Sequence, residues 1–167
     1  MNFAPDLTPT EMLLKGVFGG NYFAKTVLSK EVLVGWFGDI ETSLYISSTY
    51  RAEYNYFRTR AGQSLQEWKA KGWIHPDDPN GWFEWYCKYH AGRRHEDDAR
   101  QIKRWNAFCG PKGRWRNIIY AKIYSSGKHF ELSREVSPRI QQSLLHWSYR
   151  VNEKDYQKWC GSRNIEI

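Results

Sequence analysis

WIHPDDPNGWFEWYCKYHAGRRHEDDARQIKRWNAFCGPKGRW, residues 73–115, joins the densest aromatic run of the chain to its densest basic run. From Trp82 to Tyr89, aromatic residues recur at i, i+3, i+4 and i+7, the spacing of one face of an α-helix. Other apolar residues form a second strip, and a helix that is apolar over most of its circumference is usually buried. The stretch therefore predicts a central core helix over about 79–91, with Asp78 as its N-cap.

Start and stop signals on both sides of this stretch predict further helices. Thr8 with Glu11, and Ser64 with Glu67, have the spacing of capping boxes, and Pro138 suits a first helical position. The predicted helices lie at about 9–18, 65–71, 79–91, 96–108 and 114–125, with one more from Ser137-Pro138 and a short last helix that contains Tyr156 and Trp159.

The composition indicates one folded domain over residues 1–167. Charged residues make up 26% of the chain and hydrophobic residues 41%, which is typical of globular proteins. We predict a mainly α, compact single domain of about six to seven helices around the aromatic-rich central helix, with residues 1–7 as a loose N-terminal lead-in. Residues 21–50 fit either one small β-hairpin, from the strand character of 43–50, or a pair of short helices.

The net charge of +7 is concentrated in one part of the chain. Residues 88–122, called the basic segment below, hold 10 Lys/Arg and 3 Asp/Glu, a net charge of +7. Residues 1–87 hold 8 and 10, a net charge of −2, and residues 123–167 hold 7 and 5, a net charge of +2. Such a local field attracts polyanions, and a solvated face with carboxylate partners has the same composition.

The basic segment predicts a nucleic-acid-binding surface, with DNA favoured. Lys and Arg neutralise phosphates, while exposed Trp, Tyr and Arg side chains stack on bases. The predicted contact residues are Arg93, Arg94, Arg100, Lys103, Arg104, Lys112, Arg114 and Arg116. The prediction requires that Arg93, Arg94, Lys103, Arg104 and Arg114 share one exposed face.

The sequence assigns no catalytic residue, and the candidates are His75, Asp77, Glu84 and Asp39. His75 beside Asp77 could act as a general base, but a turn in which Asp78 caps a helix explains the same spacing. An enzyme that excises or modifies bases needs an acid beside a base pocket. The acid would come from Asp39, Glu41, Asp77 or Glu84, and the pocket wall from Tyr22, Phe23 or Trp36, although ordinary turn and core residues also explain these positions.

Metal and cofactor signals are weak. Cys87-x-x-His90, with His95 and Cys109, supplies four plausible zinc ligands, but the spacing matches no zinc module, and a buried thiol with two surface histidines explains it better. The sequence contains no P-loop, GxGxxG, GxSxG or HExxH pattern. We therefore expect no metal and no cofactor.

The cysteines and the hydropathy pattern bear on location. Three cysteines without a CxxC motif favour a reducing compartment, and no run has the length of a transmembrane helix. The N-terminus lacks the basic and apolar blocks of a signal peptide. We expect a cytoplasmic or otherwise intracellular protein, nuclear if the source is eukaryotic, that has no membrane partner.

The pattern GWIHPDDPNGWFEWYCKYHAGRR at 72–94, followed by DDARQIKRW at 97–105, resembles that of a group of small uncharacterised proteins. TPTEMLLKGVFGGNYF at 8–23 and QQSLLHWSY at 141–149 are similar to other parts of the same pattern. The resemblance implies a single domain and indicates no activity.

Three function classes fit these observations. The first is a nucleic-acid-binding protein, one version of which acts on bases. The second is an enzyme for a small anionic or sugar-bearing substrate, with Trp and Tyr residues lining a cleft, arginines holding the anion, and His75 or an acid in the wall. The third is a structural or regulatory protein with an exposed aromatic patch for assembly.

Overall fold

The central helix of the molecule, α4 (Trp82–His90), is buried along its first six residues, as the aromatic spacing predicts. The computed structural model describes residues 3–166. Gly81, with a φ of 91°, precedes the helix and provides no side-chain cap. The predicted cap at Asp78 is therefore wrong, because a turn from Asp78 to Gly81 delays the helix and leaves the Asp78 carboxylate for ion pairs.

Within the described part of the chain, α4 is one of eight α-helices, and no strand is present. The others are α1 (Pro9–Leu14), α2 (Lys30–Phe37), α3 (Leu65–Ala70), α5 (Asp98–Cys109), α6 (Arg114–Ser125), α7 (Pro138–Leu145) and α8 (Glu153–Gly161). Short 3-10 helices lie at Thr42–Leu44, Ala52–Tyr54 and Phe130–Glu135. The mainly α prediction is confirmed, and residues 43–50 form no hairpin.

Capping determines where several helices begin. Thr8 and Ser64 both form the predicted capping boxes, in which each hydroxyl accepts from the backbone three residues later. Helix α1 nevertheless ends at Leu14 instead of about residue 18. The chain turns at Gly16, where a Cβ would lie 1.8 Å from the Tyr54 carbonyl oxygen, so the next residues enter the core from turns.

Helical spacing alone misplaces three side chains that it would assign to the inward faces of α3 and α5. Leu65 and Ala99 are exposed, and Trp68 is only partly buried. In α5, Gln101 occupies a buried position because its amide donates to Asp97 Oδ2 over 2.9 Å. Helical spacing finds the inward face of a helix, but a hydrogen-bonded polar residue can occupy that face.

The helices pack around an aromatic core. Helix α5 packs on α6, which also contacts α7 and α8, while α1 contacts α2 and α4. Just before α1, Leu7 is buried, and its backbone N–H donates to Ser148 Oγ over 2.9 Å. In the described residues, no helix combines the length and the hydrophobicity that are needed to cross a bilayer.

Candidate functional site

A cavity of about 860 Å³, called the aromatic cavity below, is lined by parts of α3 to α7 and by the loops that contain residues 18–22, 62–63, 73 and 146–147. Five tryptophans contribute to its wall: Trp68, Trp73, Trp82, Trp115 and Trp147. Four arginines also line it: Arg100, Arg104, Arg114 and Arg139. Among the described residues, none of those that line the cavity carries a carboxylate. The wall therefore combines ring faces with an excess of positive charge.

Helical spacing brings the polar residues of the wall together. Arg100 and Arg104 lie one turn apart on α5, and Trp147 follows α7 on the facing side. Arg139 and His146 lie seven residues apart, with one on α7 and the other at its C-cap. The sequence analysis missed the contribution of α7, although this i, i+7 spacing indicates that both residues share a face.

Arg104 is the most enclosed cation of the cavity. Its Cζ atom lies 5.4 Å from the ring centroids of both Trp73 and Trp147, and its Nη1 donates to the Trp73 carbonyl over 3.3 Å. Burial, and after it the charge of Arg100, lowers the pKa of Arg104 to about 10, so the guanidinium stays charged at neutral pH. A partly buried cation that contacts only rings and neutral oxygens attracts an anion, because no acidic side chain neutralises its charge.

The other three arginines differ in how they are neutralised. Arg100 pairs with Asp97, whose carboxylate also accepts from Arg100 Nη2 over 2.7 Å. Arg114 and Arg139 are exposed. Neither they nor Arg104 forms an ion pair with any carboxylate of residues 3–166. The cavity thus has three arginines without acidic partners.

The predicted single exposed face of Arg93, Arg94, Lys103, Arg104 and Arg114 does not form, because Arg93 is paired with Asp78 and Arg104 is partly buried. Arg93, Arg100 and Arg116 pair with Asp78, Asp97 and Asp155, respectively. Arg94 is exposed and lies over the Tyr89 ring, with 4.0 Å between its Cζ and the centroid. Lys103 and Lys112 are exposed, and only Arg100, Arg104 and Arg114 line the aromatic cavity.

A second group of charges, called the ion-pair cluster below, consists of Asp78, Glu84, Lys88 and Arg93. Both carboxylates are fully buried. Lys88 Nζ lies 2.6 Å from Glu84 Oε1 and 3.1 Å from Asp78 Oδ1, while Arg93 Nη2 lies 2.6 Å from Asp78 Oδ2. Two anions and two cations balance, so the cluster has no net charge.

The four candidate catalytic residues differ in burial and in hydrogen-bond partners. Glu84 already has partners for both oxygens. Lys88 donates to Oε1, and the backbone and side-chain amides of Asn80 each donate to Oε2 over 2.8 Å. Asp39 and Asp77 are exposed, and His75 is partly buried. None of these four, nor Glu41, lines the aromatic cavity.

The three residues predicted to form the wall of a base pocket, Tyr22, Phe23 and Trp36, do not share one site. Tyr22 lines the aromatic cavity, where its hydroxyl donates to the Asn80 carbonyl over 2.6 Å. Phe23 is buried in the core, and Trp36 packs against it. The predicted acids and the predicted pocket wall therefore do not form one acid–base site.

The ligand atoms of His75, Asp77 and His95 come together, and this is the one such His/Cys/carboxylate group within residues 3–166. His95 Nε2 lies 3.0 Å from Asp77 Oδ2. Each imidazole Nδ1 accepts from the backbone N–H two residues later, over 3.2 Å, so a neutral ring carries its proton on Nε2. A metal on His95 Nε2 would displace that proton and break its hydrogen bond to Asp77 Oδ2.

The zinc-ligand types considered from the sequence do not converge. Cys87 and Cys109 are fully buried, and burial raises the pKa of both thiols well above the usual range. His90 is exposed at the end of α4. Thiols held in the neutral form are poor metal ligands.

A second cavity, of about 910 Å³, lies beside α6 and α8. Four cations, Lys112, Arg116, Lys158 and Arg163, and two carboxylates, Asp6 and Asp155, line it. Arg116 Nη2 lies 2.9 Å from Asp155 Oδ2, and the Tyr149 hydroxyl donates to the same oxygen over 3.1 Å. Because two carboxylates offset part of its positive charge, this cavity is less suited to an anion than the aromatic cavity, whose lining, within the described residues, has four arginines and no carboxylate.

No protein-family model, curated protein or solved structure shows significant similarity to the chain. Any functional interpretation therefore depends on the geometry and electrostatics of these sites.

Proposed function

We propose that the protein binds nucleic acid, with the aromatic cavity and its arginines as the contact surface. The observation that carries this proposal is the combination of five tryptophans with three arginines that lack acidic partners. Aromatic rings stack on bases of any sequence, and guanidinium groups neutralise phosphates. A nucleotide strand supplies both a flat ring and an anion at the spacing of one residue.

Binding is favoured over base excision or base modification. Those reactions need an acid or an activated water beside the base, and none of the described cavity-lining residues is a carboxylate. His146 is the titratable base in the wall, but burial lowers its pKa to about 4, which makes it a poor proton acceptor near neutral pH. The same features weigh against hydrolysis of a small anionic substrate.

The proposal is tested by fluorescence anisotropy with labelled single- and double-stranded DNA and RNA across a salt series. We expect affinity to fall steeply with salt, because released counterions dominate phosphate binding. Arg104→Met keeps most of the side-chain volume and removes the charge, and we expect it to weaken binding about tenfold or more.

Arg150→Met is the matched control, since Arg150 is exposed and does not line the aromatic cavity. It removes the same net charge, so equal losses in the two variants would indicate a diffuse attraction instead of a site. Absence of binding at low salt to all four nucleic acids would contradict the proposal.

A further inference from the structure

A second surface that combines rings with cations lies outside the basic segment. It consists of residues 50–60 together with Lys15 and Arg134, and it is called the tyrosine surface below. Residues 50–60 hold three arginines and one glutamate. The side chains of Tyr54 and Tyr56 are 39% and 41% exposed, respectively, although large rings gain most from burial. The surface therefore offers exposed rings beside an excess of positive charge.

Lys15 and Arg134 converge on one of these rings, although they come from distant parts of the chain. Lys15 Nζ lies 5.5 Å from the centroid of the Tyr56 ring, and Arg134 Cζ lies 4.4 Å from it. Arg134 Nη2 also donates to the Tyr56 carbonyl over 2.9 Å, which holds the guanidinium beside the ring. Two cations that repel each other thus lie at one exposed ring, and an anion between them would be stabilised by both.

Two more arginines of the tyrosine surface lie on rings. Arg60 Cζ is 4.6 Å from the Tyr50 centroid, and Arg51 Cζ is 4.7 Å from the Tyr54 centroid. None of the five cations of this surface forms an ion pair with a carboxylate of residues 3–166. A ring contact leaves the charge of a guanidinium uncompensated, so these cations can still neutralise phosphates.

The tyrosine surface adjoins the aromatic cavity through two segments of the chain. Arg60 is exposed, and residues 62–63, which follow two positions later, line the cavity. Arg139 of α7 also lines the cavity and is exposed. The Phe57 backbone N–H donates to Gln142 Oε1 of the same helix over 3.2 Å, which joins residues 50–60 to α7. The tyrosine surface therefore continues the wall of rings and cations that begins in the cavity.

We infer that the tyrosine surface holds the part of a nucleic-acid strand that extends beyond the aromatic cavity. The inference rests on the proposed function and adds a second contact region to it. Phosphates of the strand lie on Lys15 and Arg134, and its bases lie against Tyr54 and Tyr56, because every nucleotide carries both an anion and a face that can stack. The ligand is a single strand, since a base must be unpaired to stack on an exposed side chain.

The test compares the binding of oligothymidylates of about 4 and about 16 nucleotides, by fluorescence anisotropy at low salt. The short strand is sized for the aromatic cavity alone, and the long strand reaches both regions. Lys15→Gln/Arg134→Gln should weaken binding of the long strand about tenfold and leave binding of the short strand unchanged. Arg104→Met should weaken binding of both strands.

Arg150→Gln/Lys154→Gln is the matched control, because it removes the same charge from exposed residues outside both regions. Equal losses in this control and in Lys15→Gln/Arg134→Gln would indicate a diffuse attraction and overturn the inference. A long strand that still binds fully to Lys15→Gln/Arg134→Gln, but weakly to Arg104→Met, would overturn the inference and leave the proposed function intact. Failure of the unmodified protein to bind either strand would contradict both.

The ring itself is tested by Tyr56→Ala, which should weaken binding of the long strand several-fold, because a stacking platform is lost. Tyr124→Ala is its control, since Tyr124 is 49% exposed and lies in α6, outside the tyrosine surface. The same affinity for the long strand in these two variants would overturn the role of Tyr56.

Lysine acetylation of the unmodified protein, mapped by mass spectrometry, does not depend on variant folding. A saturating amount of the long strand should slow the acetylation of Lys15, whereas the short strand should not. Lys154 serves as the internal reference and should react at the same rate with either strand. If Lys15 stays as reactive with the long strand as with the short one, the strand does not reach the tyrosine surface, and the inference is overturned.

Discussion

The ion-pair cluster and the aromatic cavity use the same residue types in opposite ways. In the cluster, Arg93 and Lys88 reach two fully buried carboxylates, and the charges cancel. In the cavity, Arg104 is enclosed by tryptophan rings and has no acidic partner among the described residues. Arg93 and Arg104 lie only 11 positions apart in the basic segment, so the placement of carboxylates, and not the number of cations, separates a neutralised arginine from one without an acidic partner.

We expect the largest loss of stability when a carboxylate is removed from the ion-pair cluster. Asp78→Asn leaves Lys88 and Arg93 with one buried anion between them. We expect the free energy of unfolding to fall by about 3–5 kcal/mol, because an uncompensated buried charge is costly. Urea unfolding followed by circular dichroism measures this loss, and a loss below about 1 kcal/mol would show that the cluster is not a stabilising unit.

The same substitution in the two regions sharpens the contrast. Arg93→Met should lower the free energy of unfolding by about 3 kcal/mol, since Asp78 loses its closest partner. Arg104→Met should change it by less than about 1 kcal/mol, because no carboxylate is left unpaired. Parallel urea titrations of both variants test this difference, and equal losses would remove the distinction between the regions.

His146 makes the aromatic cavity sensitive to acid. The folded protein holds the pKa of His146 at about 4, whereas an unfolded chain protonates it near 6.5. Protonation between these values favours the unfolded state, so the contribution of His146 to stability is lost as the pH falls. We expect a loss of about 2 kcal/mol at about pH 5 relative to neutral pH.

His146→Gln is the matched comparison, since an amide can still donate to Val17 and does not titrate. Thermal unfolding of both proteins across the pH series isolates the contribution of His146. If the two proteins lose stability in parallel between neutral pH and about pH 5, the buried neutral imidazole is not the cause.

The smallest effect concerns the salt dependence of binding. Arg114→Gln should lower affinity a few-fold and reduce the slope of log K against log salt by about 0.7–0.9, the contribution of one phosphate contact. Arg116→Gln should leave the slope unchanged, because Arg116 is paired with Asp155. Equal slopes for these two variants would show that ion pairing does not decide which cations meet the phosphates.

Local signals in the sequence predict much of the fold. The capping boxes at Thr8 and Ser64 form as their spacing requires, and α4 is the buried aromatic helix. Asp78 is a position where local signals mislead. Its spacing fits a helix N-cap, but its carboxylate pairs with Lys88 and Arg93. A capping prediction uses four neighbouring residues, whereas an ion pair depends on the path of the chain between its members.

The candidate site is less accessible to sequence reasoning than the fold. Its wall includes residues from Phe18 to Trp147, and no local pattern joins segments so far apart. The basic segment marks the region, but it does not separate Arg104 from Arg116, whose partner Asp155 lies 39 positions later. Trp82 is fully buried and fits the core equally well, so its place in the cavity wall appears only in the folded chain.

Photocrosslinking tests the central claim most directly, because it reports where a base lies. A single-stranded DNA with one 5-iodouracil is irradiated in complex with the protein, and the modified residues are mapped by mass spectrometry. The account predicts crosslinks to Trp73, Trp82 or Trp147 in the aromatic cavity, and their loss in Arg104→Met at matched concentration. Crosslinks confined to Trp159 in the second cavity, or to no aromatic residue of the aromatic cavity, would contradict it.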